Sequence, residues 1–191
     1  IINSFSFKEC ENLCNISIPR AIKIELGESC FSYLKQISSI KLECQHLIVG
    51  SNCFESCNLL NSFSCKICKI EFGSQPFNNC TKLQNITIKY EPTTTFDQLM
   101  NENQNDEIFL NDNFFNKCSL LNNVELDIAQ RITMSTSAFN GCNNLSTIKL
   151  KSLSSITLTN KNFQQIRTNE FKVIGKQVTF GDSCFYSSEK L

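Results

Sequence analysis

The 191-residue chain has no tryptophan, one histidine, three prolines and six glycines. A single imidazole, His46, leaves no material for a multi-histidine metal centre. It lies just before Leu47 with no nucleophile motif nearby, so it reads as a solvated histidine of a connecting segment rather than a triad base. Lysine plus arginine equals aspartate plus glutamate at 18 each. That balance gives no electrostatic footprint for nucleic acid or an anionic membrane surface. No apolar run reaches the length of a membrane-spanning helix, so this segment is not expected to insert directly in a membrane. Neither glycine-rich phosphate-binding motif occurs, and nothing implies a cofactor. Few turn-forming residues imply few tight turns.

What is abundant is phenylalanine, at 16, and cysteine, at 12. Phe7, Phe31, Phe54, Phe77, Phe115, Phe139, Phe163 and Phe185 are separated by 24, 23, 23, 38, 24, 24 and 22 residues. All but one interval hold one period, and such periodicity is the signature of a solenoid. Other residues fall into columns around these anchors. Seven before stand Ile24, Leu47, Ile70, Ile108, Ile132, Ile156 and Val178; five before stand Leu26, Val49, Phe72, Leu110, Met134, Leu158 and Phe180. Three after come Cys10, Leu34, Cys57, Cys80, Cys118, Cys142, Ile166 and Ser188, and six after come mostly leucines, from Leu13 to Leu191. Positions nine and eleven after are also apolar, as in Ile16 and Ile18 or Ile148 and Leu150, with Lys172 an exception. Gly27, Gly50, Gly73 and Gly181, four before their anchors, suggest a corner needing positive φ.

The pairs at minus seven and minus five and at plus nine and plus eleven have strand period. The anchor, plus three and plus six have the spacing of a short α or 3₁₀ segment. The expected class is α/β: a solenoid of about eight turns of 23–24 residues, with short strands and short helical turns. No turn buries its apolar side alone, so stability must come from stacking. Ile166, Asn169 and Lys172 break the pattern, which predicts a distorted seventh turn.

The unit Phe7-Lys-Glu-Cys10-Glu-Asn-Leu13-Cys-Asn-Ile16-Ser-Ile18-Pro19 and its copy from Phe139 through Cys142, Leu145 and Ile148 to Leu150 resemble the BspA-like, treponemal-type leucine-rich repeat. Small residues before the anchor, Ala138, Cys30, Cys53 and Cys184, fit as well. The resemblance spans the chain except residues 90–106 and implies a right-handed leucine-rich-repeat solenoid. It also implies a non-catalytic protein-binding scaffold of surface-antigen or adhesin type, at home on mucosal bacteria or parasitic protists. The whole of 1–191 is expected to be one solenoid domain, a fragment of a longer array, because no polar cap is visible at either end.

Nine of the twelve cysteines fall at inward positions and read as small buried hydrophobes. Disulfides between adjacent turns and a zinc site at Cys65-Lys-Ile-Cys68 with Cys53 and Cys57 are the alternatives. Four glycosylation sequons, at Asn15, Asn79, Asn85 and Asn144, are about the number that the Asn, Ser and Thr content produces by chance, and say nothing about secretion. The polar insertion at about 90–106 is either a tolerated loop or a partner contact through Tyr90, Phe96 and Leu99. Two locations follow. Resemblance suggests the cell surface, whereas buried free thiols suit a cytoplasmic or cytoskeletal assembly component.

Overall fold

A computed structural model describes residues 1–91, 107–160, 163, 166 and 168–185. The chain is a parallel β-solenoid. Twelve strands run in order: β1 (Ala21–Leu26), β2 (Ser39–Val49), β3 (Ser62–Ile67), β4 (Lys69–Phe72), β5 (Asn85–Tyr90), β6 (Glu107–Leu110), β7 (Asn123–Ile128), β8 (Arg131–Met134), β9 (Thr147–Ser152), β10 (Ser155–Leu158), β11 (Glu170–Ile174) and β12 (Gln177–Phe180). A long sheet takes the first half of β2 and then β3, β5, β7, β9 and β11 in sequence order. Its six strands correspond to about six complete turns. A second side holds β1, the last part of β2 and β4, and then β6, β8, β10 and β12. Alternation of apolar and polar residues sends one face of every strand into a single continuous core.

The third side of each turn carries the anchors. All seven consecutive pairs of anchor rings are stacked, with centroids 5.2–5.8 Å apart. Phe31, Phe54, Phe77, Phe115, Phe139 and Phe163 are buried, whereas Phe7 is 40% exposed at one end of the stack. Phe185, at the other end, packs partly buried on Phe163.

The expected helical turns do not form: among the described residues there is no α or 3₁₀ helix. The reason lies in the backbone two residues either side of the anchor. Phe5 and Glu9, Ser29 and Tyr33, Asn52 and Ser56, Gln75 and Asn79, and Asn113 and Lys117 all have φ between 51° and 63°. A left-handed residue on each side of the anchor, four positions apart, stops a right-handed helix from propagating. What results is a ladder. The amide of Phe31 donates to the Cys53 carbonyl of the next turn, and those of Ser29 and Tyr33 donate to Ser51 and Glu55. Other amides close four-residue turns, as when Cys57 N–H donates to the Phe54 carbonyl. This segment therefore pairs with its neighbours much as a strand does.

The recurrent glycines serve a different purpose from the one their spacing suggests. Gly27, Gly50, Gly73 and Gly181 do not have positive φ. A Cβ on Gly50 would stand 2.6 Å from the Gly27 carbonyl carbon, so the glycines permit a close approach of backbones between turns.

The seventh turn is one residue short rather than disordered in pattern. Phe171 pairs in register with Ile148, and Val173 with Leu150. The inward column therefore passes through Phe171 and Val173, while Lys172 and Ile174 point outward and Ile174 is 46% exposed. Thr168, buried, takes the position that Asn169 leaves. Ser188 and Leu191 lie outside the described residues.

The insertion does disturb one column. The long sheet passes straight from β5 to β7, but β4 and β6 do not pair. Phe114 stands in the small-residue column, where other turns have Cys30, Cys53, Pro76 or Ala138. It is buried and packs edge-on against Phe72 at 5.0 Å and against Phe115 at 4.7 Å. Its bulk wedges the two turns apart. Two side chains repair the break. The buried Gln130 carboxamide accepts from the Ile70 N–H at 3.2 Å and donates to the Ile70 carbonyl at 3.1 Å. Asn111 does the same at the corner, donating to the Gly73 carbonyl and accepting from the Gln75 N–H, both at 3.3 Å.

Two outcomes test this account. Phe54→Ala, in the middle of the stack, should cost about 3–5 kcal/mol in urea unfolding, and Phe7→Ala only roughly 0.5–1.5 kcal/mol because that ring stacks on one side. Gln130→Leu should cost about 1–3 kcal/mol and speed hydrogen exchange at the Ile70 amide, which it leaves without its partner.

Candidate functional site

Ten of the twelve cysteines are buried; Cys10 and Cys14 are exposed. Cys10 was expected inside but lies on the uncovered first turn, while Cys44 and Cys68, outside the expected columns, are buried. The column three after the anchor has a specific task. The thiols of Cys57, Cys80, Cys118 and Cys142 donate to the carbonyls of Phe31, Phe54, Phe77 and Phe115, each one turn back, at 2.9–3.2 Å. A leucine fills the volume there, as Leu34 does, but it supplies no donor. Burial pushes the thiols of Cys57 and Cys118 from 9.0 up to about 12, and those of Cys80 and Cys142 well above 9.0. A neutral thiol is the form that donates, so burial and hydrogen bonding reinforce each other. The Cys30 and Cys53 sulfurs are 3.5 Å apart in the column before the anchor. Cys65 is buried in the core, and Cys68 donates to the Glu91 carbonyl at 3.0 Å. Among the described residues no three potential ligands cluster to hold a metal.

His46 is placed differently from expectation. It lies in β2, with its ring Nε2 2.9 Å from a Glu71 carboxylate oxygen. Its register neighbours are Lys23 and Lys69, so the pair has no hydroxyl or thiol aligned beside it. Without an aligned nucleophile, the contact is a surface hydrogen bond between two side chains rather than a catalytic pair. Tyr90 is half-buried at the end of β5, while Phe96 and Leu99 lie outside the described residues.

The outer face of the long sheet is the largest regular surface. Parallel pairing aligns Lys41, Ser64, Thr87, Glu125, Lys149 and Lys172 in one row, and Glu43, Lys66, Lys89, Asp127, Lys151 and Ile174 in the next. Successive rungs stand about 4.8 Å apart. Charge changes sign on both sides of β7: β5 contributes Lys89, β7 contributes Glu125 and Asp127, and β9 contributes Lys149 and Lys151. Lys151 bonds Asp127 at 2.8 Å and Lys149 bonds Glu170 at 3.0 Å, fixing these side chains across rungs. Lys66 bonds Glu91 at 2.8 Å; that hydrogen bond lowers the Glu91 pKa and raises that of Lys66. A hollow of about 120 Å³ opens among Glu125, Asp127, Lys149, Lys151, Lys172 and Ile174.

The sheet break forms a second concavity. Lys69, Glu71, Phe72, Glu107, Phe109 and Gln130 line a polar cleft of about 370 Å³. Neither the break nor Gln130's part in it was visible in the sequence. The long interval from Phe77 to Phe115 and the out-of-place Phe114 mark the turn where it occurs.

With the ring stack and parallel register established, comparison with known families is decisive. The BspA type Leucine rich repeat region matches residues 1–107 and 102–191, in six copies. The chain belongs to this family. BspA-type repeats generally form scaffolds for protein interaction. No curated protein and no solved structure matches the chain. Among the described residues no helix is long and apolar enough to cross a membrane.

The thiol column of this BspA-type array makes a pH prediction. Above pH 9 the unfolded chain loses the Cys57 and Cys118 protons, whereas the folded chain holds them to about 12. Folded pKa values raised in this way mean that their stabilisation is complete below pH 9 and is lost as pH rises towards 12. Each thiol contributes a slope of roughly −1.4 kcal/mol per pH unit within that window. Replacing both with serine, which keeps a donor and does not titrate, should flatten the alkaline limb of a stability-versus-pH curve by about twice that slope.

Proposed function

We propose that the chain is a non-catalytic scaffold that binds a protein partner on the outer face of the long sheet, as part of a surface antigen or adhesin. The observation that carries the reading is the in-register rows of charge on that face. They are held at strand spacing by a core that cannot flex without breaking the ring stack. Side chains already paired across rungs lose little conformational freedom on binding, which favours specificity. On this reading the insertion that follows Tyr90 adds a second contact, through Tyr90, Phe96 and Leu99.

A second reading has its own support. Thiols that donate hydrogen bonds are reduced thiols, and reduced cysteine is the habit of the cell interior. On that reading the same face belongs to an intracellular structural or cytoskeletal assembly. Protein isolated from its source without reductant separates the two. Twelve titratable thiols favour the interior, and disulfides favour the surface.

The binding face is tested by charge reversal. Glu125→Lys with Asp127→Lys should weaken capture of the partner at least about tenfold, while Thr157→Lys, on the other side of the solenoid, should leave it unchanged. Equal capture by all three proteins would remove the long sheet as the binding face.

A further inference from the structure

The cleft at the sheet break differs in character from the long-sheet face. Its walls offer both hydrogen-bond donors and acceptors, with charges matched in place. Glu71 is met by His46 at 2.9 Å and by Lys69 at 3.4 Å. Glu107 accepts from the Thr133 hydroxyl, and Arg131 stands beside it in register. With Glu71 held by His46 and Lys69 and Glu107 by Thr133, the cleft offers no bare charge to recruit an ion. With polar walls, it has little to offer a wholly apolar ligand.

One side chain breaks this pattern. Phe109 projects outward from β6 and is 48% exposed. The residues aligned with it along the sheet are Thr133, Thr157 and Thr179. The single aromatic in that row therefore stands where the sheet opens, two residues from Glu107 on the same face of the strand. An exposed ring beside carboxylates and an ammonium suits a ligand with one apolar face and a hydroxylated edge. A pyranose sugar has that form. Its C–H face covers an aromatic ring, and its hydroxyls both donate to carboxylates and accept from cations. The volume of about 370 Å³ falls within the usual range of small-molecule sites.

We infer that the cleft between β4 and β6 binds a neutral saccharide, with the sugar ring stacked on Phe109 and its hydroxyls bonded to Glu107, Glu71 and Lys69. The cleft lies on the second side of the solenoid, away from the long-sheet face, and its ligand is independent of any protein bound there.

The test is a titration of the purified chain with methyl β-D-glucopyranoside, methyl β-D-galactopyranoside, methyl α-D-mannopyranoside and cellotriose, followed by saturation-transfer NMR. At least one probe should bind, with roughly millimolar affinity as befits an open cleft. Phe109→Ala should weaken it at least about tenfold, Phe109→Trp should retain it, and Glu107→Gln should weaken it. Phe180→Ala, which removes another exposed ring, should change nothing. Phe109 is half-exposed, so its variants should keep the parent urea midpoint, and the tryptophan variant reports on the site if the alanine variant does not fold. Failure of all four probes to bind at about 50 mM, or equal binding by Phe109→Ala and the parent, would overturn the inference.

Discussion

The spacing between adjacent turns is the constraint on which the rest of the structure depends. Backbone hydrogen bonds fix it near 4.8 Å. The anchor rings stack at 5.2–5.8 Å, slightly more than that, and offset packing absorbs the difference. Every column must then hold a residue that fits between identical neighbours one rung away. Where backbones nearly touch at the corner, as at Gly27, Gly50, Gly73 and Gly181, glycine makes room, while Ser135 and Thr159 stand at the same corner of their own turns. Next to the anchor a cysteine or alanine fits. Three residues later the space admits a leucine, or a cysteine whose thiol also reaches the carbonyl of the preceding anchor. The cysteine content of this chain is thus an outcome of packing and of hydrogen bonding together.

One residue violates the constraint, and its consequences show how strict it is. Phe114 occupies a column built for small side chains, and the adjacent strands separate. The ring stack and the long sheet continue because Phe77 still meets Phe115 at 5.7 Å and β5 still pairs with β7. The cost falls on one side only. There Gln130 and Asn111 replace missing backbone partners with carboxamides, which carry the same donor and acceptor as a peptide group. An unpaired buried N–H and carbonyl would be expensive, so the repair is part of the fold.

Much of this architecture was legible in the sequence, for a physical reason. A solenoid repeats its environment, so each column samples one requirement several times, and the eight anchors reveal the period without any partner sequence. What stayed hidden was local or unique. Left-handed residues beside the anchors, such as Tyr33 and Lys117, carry no special side chain, so the spacing of the anchor, plus three and plus six mimicked a helix. The one-residue slip that brings Phe171 inward looked like a corrupted column. His46 seemed to lie in a connection because the fused strand β2 joins two sheets without a turn. Gln130 and Ile70 are 60 residues apart, and no periodic pattern links them.

The same logic says where function must be sought. Inward columns are held by packing, and a substitution there is felt through every neighbouring turn. Outward positions face solvent and repeat only the strand's alternation, not its chemistry. That is why Lys89 and Asp127 can stand on adjacent rungs, and why Phe109 can interrupt a row of threonines. Departures from repetition on the outer faces carry no benefit to the core. Those that coincide with a concavity, as Phe109 does at the break, are therefore the first places to look for a ligand.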